Sequence, residues 1–153
     1  MTSEDLAPRL QAFIAGAAGA ARVRIEGLAR LSGGAIQEHI GCTAVVDGGP
    51  RSGTHDLVVR TEARSSVPES RPLDQHFALL QVAHAAGVAA PEPMWFCADA
   101  SVIGKSFFVM RRMPGNALGS RVVRGAPHTA LAERLAQELA LIHSIRPPSS
   151  DLS

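Results

Sequence analysis

One amphipathic segment limits what this chain can fold into. Leu73, Phe77, Leu80 and Ala83 recur at spacings of four, three and three, the signature of one helix face, and Gly87 follows as a stop. Strand-like segments lie on both sides of it. Val23, Ile25 and Leu28 mark a strand over Arg22–Arg30, which Ser32-Gly33-Gly34 breaks. A second strand runs from Ile36 to Val46 and closes at Asp47-Gly48-Gly49-Pro50; a third covers His55 to Arg60. After the helix, Pro91 and Pro93 lead into a fourth strand, Met94 to Cys97. Asp99 to Gly104 reads as a turn, and Ser106 to Arg112 as a fifth strand ended by Pro114-Gly115. Short glycine turns join neighbouring strands antiparallel. A helix inserted between the third and fourth strands must lie on a sheet face to bury its stripe. The expected fold is α+β, a five-stranded, mainly antiparallel sheet with one packed helix.

Two further helices flank this unit. Leu6, Leu10, Phe13 and Ile14 predict an N-terminal helix with Pro8 in its first turn and an end in the Gly16 to Gly19 stretch. Leu131, Leu135, Leu139 and Ile142 predict another, from about Thr129 to Ile145, stopped by Pro147-Pro148. The polar stretch from Thr61 to Pro72 reads as a loop.

Composition narrows the function classes. With 153 residues, 46% hydrophobic and 19% charged, the chain has the makings of a folded core. A formal net charge of +1 gives no electrostatic reason for a nucleic-acid or membrane partner. Cys42 and Cys97 both fall in apolar strand segments and read as buried thiols. No basic and apolar leader opens the sequence and no apolar run reaches transmembrane length, so a cytoplasmic location is expected.

Four stretches, in order, carry a resemblance to a known family. They are Leu31-Ser32-Gly33-Gly34, the link from Ala86 to Pro93, the segment from Ser101 to Gly115 containing Gly104-Lys105-Ser106-Phe107-Phe108-Val109-Met110, and Leu135 to Ile145 with its Leu141-Ile142-His143. Over residues 22 to 146 the chain resembles the N-terminal part of the aminoglycoside phosphotransferase and choline kinase-like family. The resemblance implies an N-terminal helix at 1–20, a kinase-like nucleotide-binding small lobe at 21–116, and at 117–153 a linker with the opening helix of a truncated large lobe. ATP is the implied nucleotide, with Mg²⁺ expected only together with the missing lobe. A separate chain carrying the large lobe is one implied partner. A non-catalytic module that docks on another chain is the alternative.

The same resemblance assigns roles residue by residue. Ser32, Gly33 and Gly34 would form the turn whose amides approach phosphate, although an ordinary hairpin turn uses the same residues. Arg60, near the end of the third strand, would hold the α- and β-phosphates. Met110, Arg111 and Met113 would form the adenine hinge, with Ile36, Val58 and Met110 walling the base. The acid expected opposite Arg60 is replaced by His76, and Glu69 and Asp74 are nearby but out of register. A half-exposed helix residue is the plainer reading of His76. Phosphoryl transfer also needs a catalytic-loop aspartate and carboxylate or amide metal ligands. The family's "HGDxxxxN" loop and metal motif do not occur in this sequence, and Asp47, Asp56, Asp99 and Asp151 lack the required companions. The chain alone is therefore expected to lack kinase activity.

Overall fold

The computed structural model describes residues 3–31, 38–61, 71–115 and 128–146. In chain order the elements are α1 (Ser3–Ala18), β1 (Arg22–Arg30), β2 (Glu38–Asp47), β3 (Gly53–Thr61), α2 (Leu73–Ala85), β4 (Pro93–Cys97), β5 (Phe107–Arg111) and α3 (His128–Ser144). The five strands form one sheet in the order β1-β2-β3-β5-β4, and every adjacent pair is antiparallel. The fold is thus α+β, and its sheet is wholly antiparallel.

Strand alternation divides the sheet into two faces. Ile40, Cys42, Ala44 and Val46 of β2, Leu57 and Val59 of β3, and Phe107 and Val109 of β5 point to one face. There α1 lays down Leu6, Leu10, Ile14 and Ala18, and Phe13 meets Phe107 edge-on at 4.9 Å. Val58, Phe108 and Met110 point to the other face, where α2 supplies Leu73, Phe77 and Leu80.

Two glycines fix how the pieces meet. In β1 the apolar spacing lengthens from Val23–Ile25 to Leu28, and a bulge between Glu26 and Ala29 absorbs the extra residue at Gly27, whose φ is +62°. The bulge keeps Leu28 against the same core as Val23 and Ile25. At the β2–β3 turn, Gly49 approaches the end of α1 so closely that a Cβ there would lie 2.6 Å from the Gly19 carbonyl oxygen. Ala21 N–H then donates to the Asp47 carbonyl at 2.9 Å, joining the exit of α1 to the end of β2.

One expectation shifts. Pro8 lies inside α1, about a turn beyond its expected place, because the helix already begins at Ser3. The helix ends within the expected Gly16 to Gly19 stretch, running through Gly16 to Ala18 and stopping at Gly19. Packing of Ile14 and Ala18 on the sheet outweighs the roughly 1 kcal/mol that an interior glycine costs.

α3 stands apart from this core. Glu138 Oε2 accepts from Ala89 N–H at 2.8 Å, while Arg134 pairs with the other oxygen of Glu138. Leu135, Leu139 and Ile142 remain 61%, 52% and 46% exposed. Among the described residues no helix is long and apolar enough to cross a membrane.

Candidate functional site

The α2 face of the sheet gathers the residues of interest. Register pairs Val58 with Met110 and Arg60 with Phe108, so these four side chains share that face. Leu73 anchors the start of α2, and Phe77 inserts between Phe96 and Phe108 with ring centroids 5.7 and 5.5 Å away. The helix closes when Gly87 N–H bonds to His84 and Val88 N–H to Ala83. His76, one residue before Phe77 and one turn after Leu73, is thereby carried to the edge of α2 that borders β3.

Arg60 and His76 meet there. Arg60 Nη2 lies 3.5 Å from His76 Nδ1, and the guanidinium carbon sits 5.5 Å from the centre of the Phe108 ring. Burial pulls the pKa of Arg60 below its ordinary value, yet a guanidinium stays charged in proteins. Burial, then the charges of Arg60 and Arg71, lower the pKa of His76. A neutral imidazole results, with Nδ1 accepting from the guanidinium and the ring proton on Nε2. Arg60 Nε is buried and has no hydrogen-bond partner among the described residues. No carboxylate within the described residues pairs with Arg60. This is a half-buried cation whose charge a neighbouring ring shapes but does not cancel.

A second charged group sits where β5 ends. Glu92, just before β4, accepts from Arg51 Nη1 at 2.8 Å through Oε1 and from Arg111 Nε at 2.9 Å through Oε2. Its main-chain carbonyl also accepts from Arg111 N–H at 2.9 Å. The hydrogen bonds from Arg51 and Arg111 hold the Glu92 carboxyl below the usual carboxylate range. Arg51, on the β2–β3 turn, also lies 5.9 Å from the centre of the Trp95 ring. Sequence reasoning passed over Arg51 and singled out Glu92 only as part of the proline link. The sole local signal was a charge set between Pro91 and Pro93 in an otherwise apolar stretch.

The other expected site residues fall as follows. Val58 and Met110 are buried together beneath α2. Arg111 N–H is held by Glu92, and Arg112 N–H donates to the Asp56 carbonyl at 2.8 Å, the last rung of the β3–β5 ladder. Met113 follows beyond that rung with its side chain exposed. Ser32, Gly33, Gly34, Ile36 and Glu69 lie outside the described residues, and Asp74 is exposed in the first turn of α2. Among the described residues no three His, Cys, Asp or Glu side chains gather to hold a metal ion.

A five-stranded antiparallel sheet, a helix inserted after its third strand, and a half-buried basic residue facing that helix define the small lobe of a kinase-like fold. The chain belongs to the phosphotransferase enzyme family (APH), whose family model matches residues 43–153. Among solved structures it is similar to a "putative aminoglycoside phosphotransferase" of Ralstonia eutropha, with a TM-score of 0.65 and 16% identity over 90% of this chain and 38% of that one. Among curated proteins it is similar to acyl-CoA dehydrogenase family member 11. The Pongo abelii protein is 27% identical over 106 residues, 67% of this chain and 14% of that protein. The Gallus gallus protein is 35% identical over 77 residues, 49% of this chain and 9% of that protein. The chain thus spans about one seventh of the Pongo abelii relative, whose share is 14%.

Proposed function

We propose that this chain is the ATP-binding lobe of a small-molecule kinase and that it grips the nucleotide without transferring phosphate on its own. Arg60 carries the reading. A half-buried guanidinium whose buried Nε has no hydrogen-bond partner among the described residues, beside a neutral histidine, is suited to an anion such as a nucleotide phosphate. Met110, Arg111 and Met113 at the end of β5 would take the base, and Ser32-Gly33-Gly34 the phosphates. Groups that would activate an acceptor hydroxyl are absent from the sequence, so transfer to that hydroxyl requires residues that another lobe supplies. The solvent-facing stripe of α3 is where such a lobe, or another partner chain, would seat.

Calorimetry of the 153-residue chain with Mg-ATP tests this, with Arg60→Ala as control. Binding should be measurable, and Arg60→Ala should weaken it at least about tenfold, the loss of one charge-assisted contact. Binding that ignores the substitution, or no binding at millimolar nucleotide, would reject the assignment of Arg60 as phosphate anchor.

A further inference from the structure

Glu92 contacts the end of β5 in a way that the phosphate-gripping role does not require. Its carbonyl takes the Arg111 amide and its carboxylate takes the Arg111 side chain, so one residue holds both main chain and side chain of the same partner. Two such contacts fix the orientation of the peptide group at Arg111. The other carboxylate oxygen reaches Arg51 on the β2–β3 turn, tying that orientation to a second part of the sheet. Arg51 in turn lies over Trp95 of β4. Three separate segments therefore converge on Glu92.

The charges favour this arrangement. Two guanidinium groups close to each other repel, and a carboxylate between them offsets the repulsion. Glu92 is 25% exposed and its partners Arg51 and Arg111 are 38% and 42% exposed, so solvent screens both contacts and their main effect is to orient rather than to stabilise. The adjoining Pro93 has no amide to offer the ladder, and the pairing of β4 with β5 slips between Pro93 and Trp95. β3 holds the end of β5 on one side, through the Leu57–Arg111 pair and the Arg112 N–H bond to the Asp56 carbonyl; on the β4 side the register slips, and there the Glu92 side chain supplies what the ladder omits.

We propose that Glu92 is a positioning residue that sets the Arg111–Met113 backbone for recognition of the nucleotide base. This inference rests on the nucleotide-binding reading above. It separates the base end from the phosphate end: Glu92 governs the first and Arg60 the second.

The test compares Mg-ATP with tripolyphosphate, which carries the phosphates and no base, on the full chain and on Glu92→Gln. Glu92→Gln keeps the shape and removes the charge. ATP affinity should fall about tenfold, while tripolyphosphate affinity changes less than about twofold. A parallel loss for both ligands would mean that Glu92 merely supports the fold, and no loss for either would mean that it does not position the base; each overturns the proposal. If the unaltered chain binds the two ligands equally, base recognition at Arg111 is refuted while the phosphate site stands. If it binds neither, the nucleotide reading itself falls, and this inference with it. Should Glu92→Gln unfold, as judged by its thermal melt, Arg111→Met removes the same side-chain contact, keeps the amide, and must give the same split between ligands.

Discussion

Replacing His76 with glutamate restores a carboxylate opposite Arg60, and the geometry sets what should follow. Nδ1 of His76 lies 3.5 Å from Arg60 Nη2, so a glutamate side chain from the same helix position reaches the guanidinium. The new pair would sit at the edge of α2, partly open to water. An ion pair there contributes about 1 kcal/mol at most, not the several kcal/mol of a sealed site. At this chain length about 1 kcal/mol corresponds to about 2–4 °C in Tm. His76→Gln provides the neutral reference, because it keeps a hydrogen-bond acceptor and does not titrate. The difference between the Glu and Gln variants then isolates the charge. The pH dependence supplies a second check. Burial and the neighbouring arginines depress the pKa of His76 in the folded chain, so the unfolded chain binds the extra proton more readily. The stability tied to a neutral His76 is fully present above its unfolded pKa, about 6.5, and is lost as pH falls through the lower folded value. His76→Gln removes that loss, and His76→Glu moves the sensitive range down to carboxylate pH. Thermal melts from pH 8 to pH 5 measure both effects. A glutamate variant no more stable than the glutamine variant at pH 7 would refute the pairing of position 76 with Arg60. An unaltered chain whose Tm tracks that of His76→Gln across the range would refute the depressed histidine.

Gly49→Ala should cost several times what Gly104→Ala costs in chemical denaturation. Both carry a positive φ, but only at position 49 would the new methyl group strike backbone, 2.6 Å from the Gly19 carbonyl oxygen. The double substitution Leu135→Ser and Leu139→Ser should shift sedimentation of the chain toward monomer and reduce binding of an apolar dye. An unchanged distribution would mean that the exposed α3 stripe does not drive association.

The strands and helices were legible because period and punctuation agreed. The stripe of α2 was visible as Leu73, Phe77 and Leu80, and those side chains do face the sheet. The irregular spacing from Ile25 to Leu28 also carried structural information, since the bulge at Gly27 turns it into a consistent inner face. Placement of His76 opposite Arg60 followed from the family resemblance, in which position 76 is that of the expected acid, and the two side chains do meet. Pro8 was misplaced because its local preference for a first turn yields to the tertiary packing of α1. The group around Glu92 escaped because it joins Arg51, Glu92 and Arg111 across separations of 41 and 19 residues. No periodicity reports a contact that the sheet order alone brings about.

That contrast bears on how the two ends of the proposed site are held. Arg60 is placed by rigid elements, between a strand ladder and a helix that Phe77 locks onto the sheet. Its chemistry then depends on what α2 presents, and here α2 presents an imidazole. A carboxylate at that place would orient the guanidinium while cancelling much of its charge. A neutral ring orients it more weakly and leaves the charge intact. The Arg111 end is the reverse case, a strand end with a slipped register, held by an ionised carboxylate shared between two arginines. Lowering the pH should therefore affect the ends in separate ranges. Protonation of His76 would add a second cation beside Arg60 and strengthen its attraction for phosphate, whereas Glu92, held below the usual carboxylate range, would keep its two arginines until much lower pH. Measured against His76→Gln, which shares the ligands' own protonation but has no imidazole, affinity for tripolyphosphate should rise as pH falls through the lowered pKa of His76, and the ratio of ATP to tripolyphosphate affinity should match that of the variant. A ratio that departs from that of His76→Gln as the imidazole titrates would show that the two ends are coupled through the sheet rather than held independently.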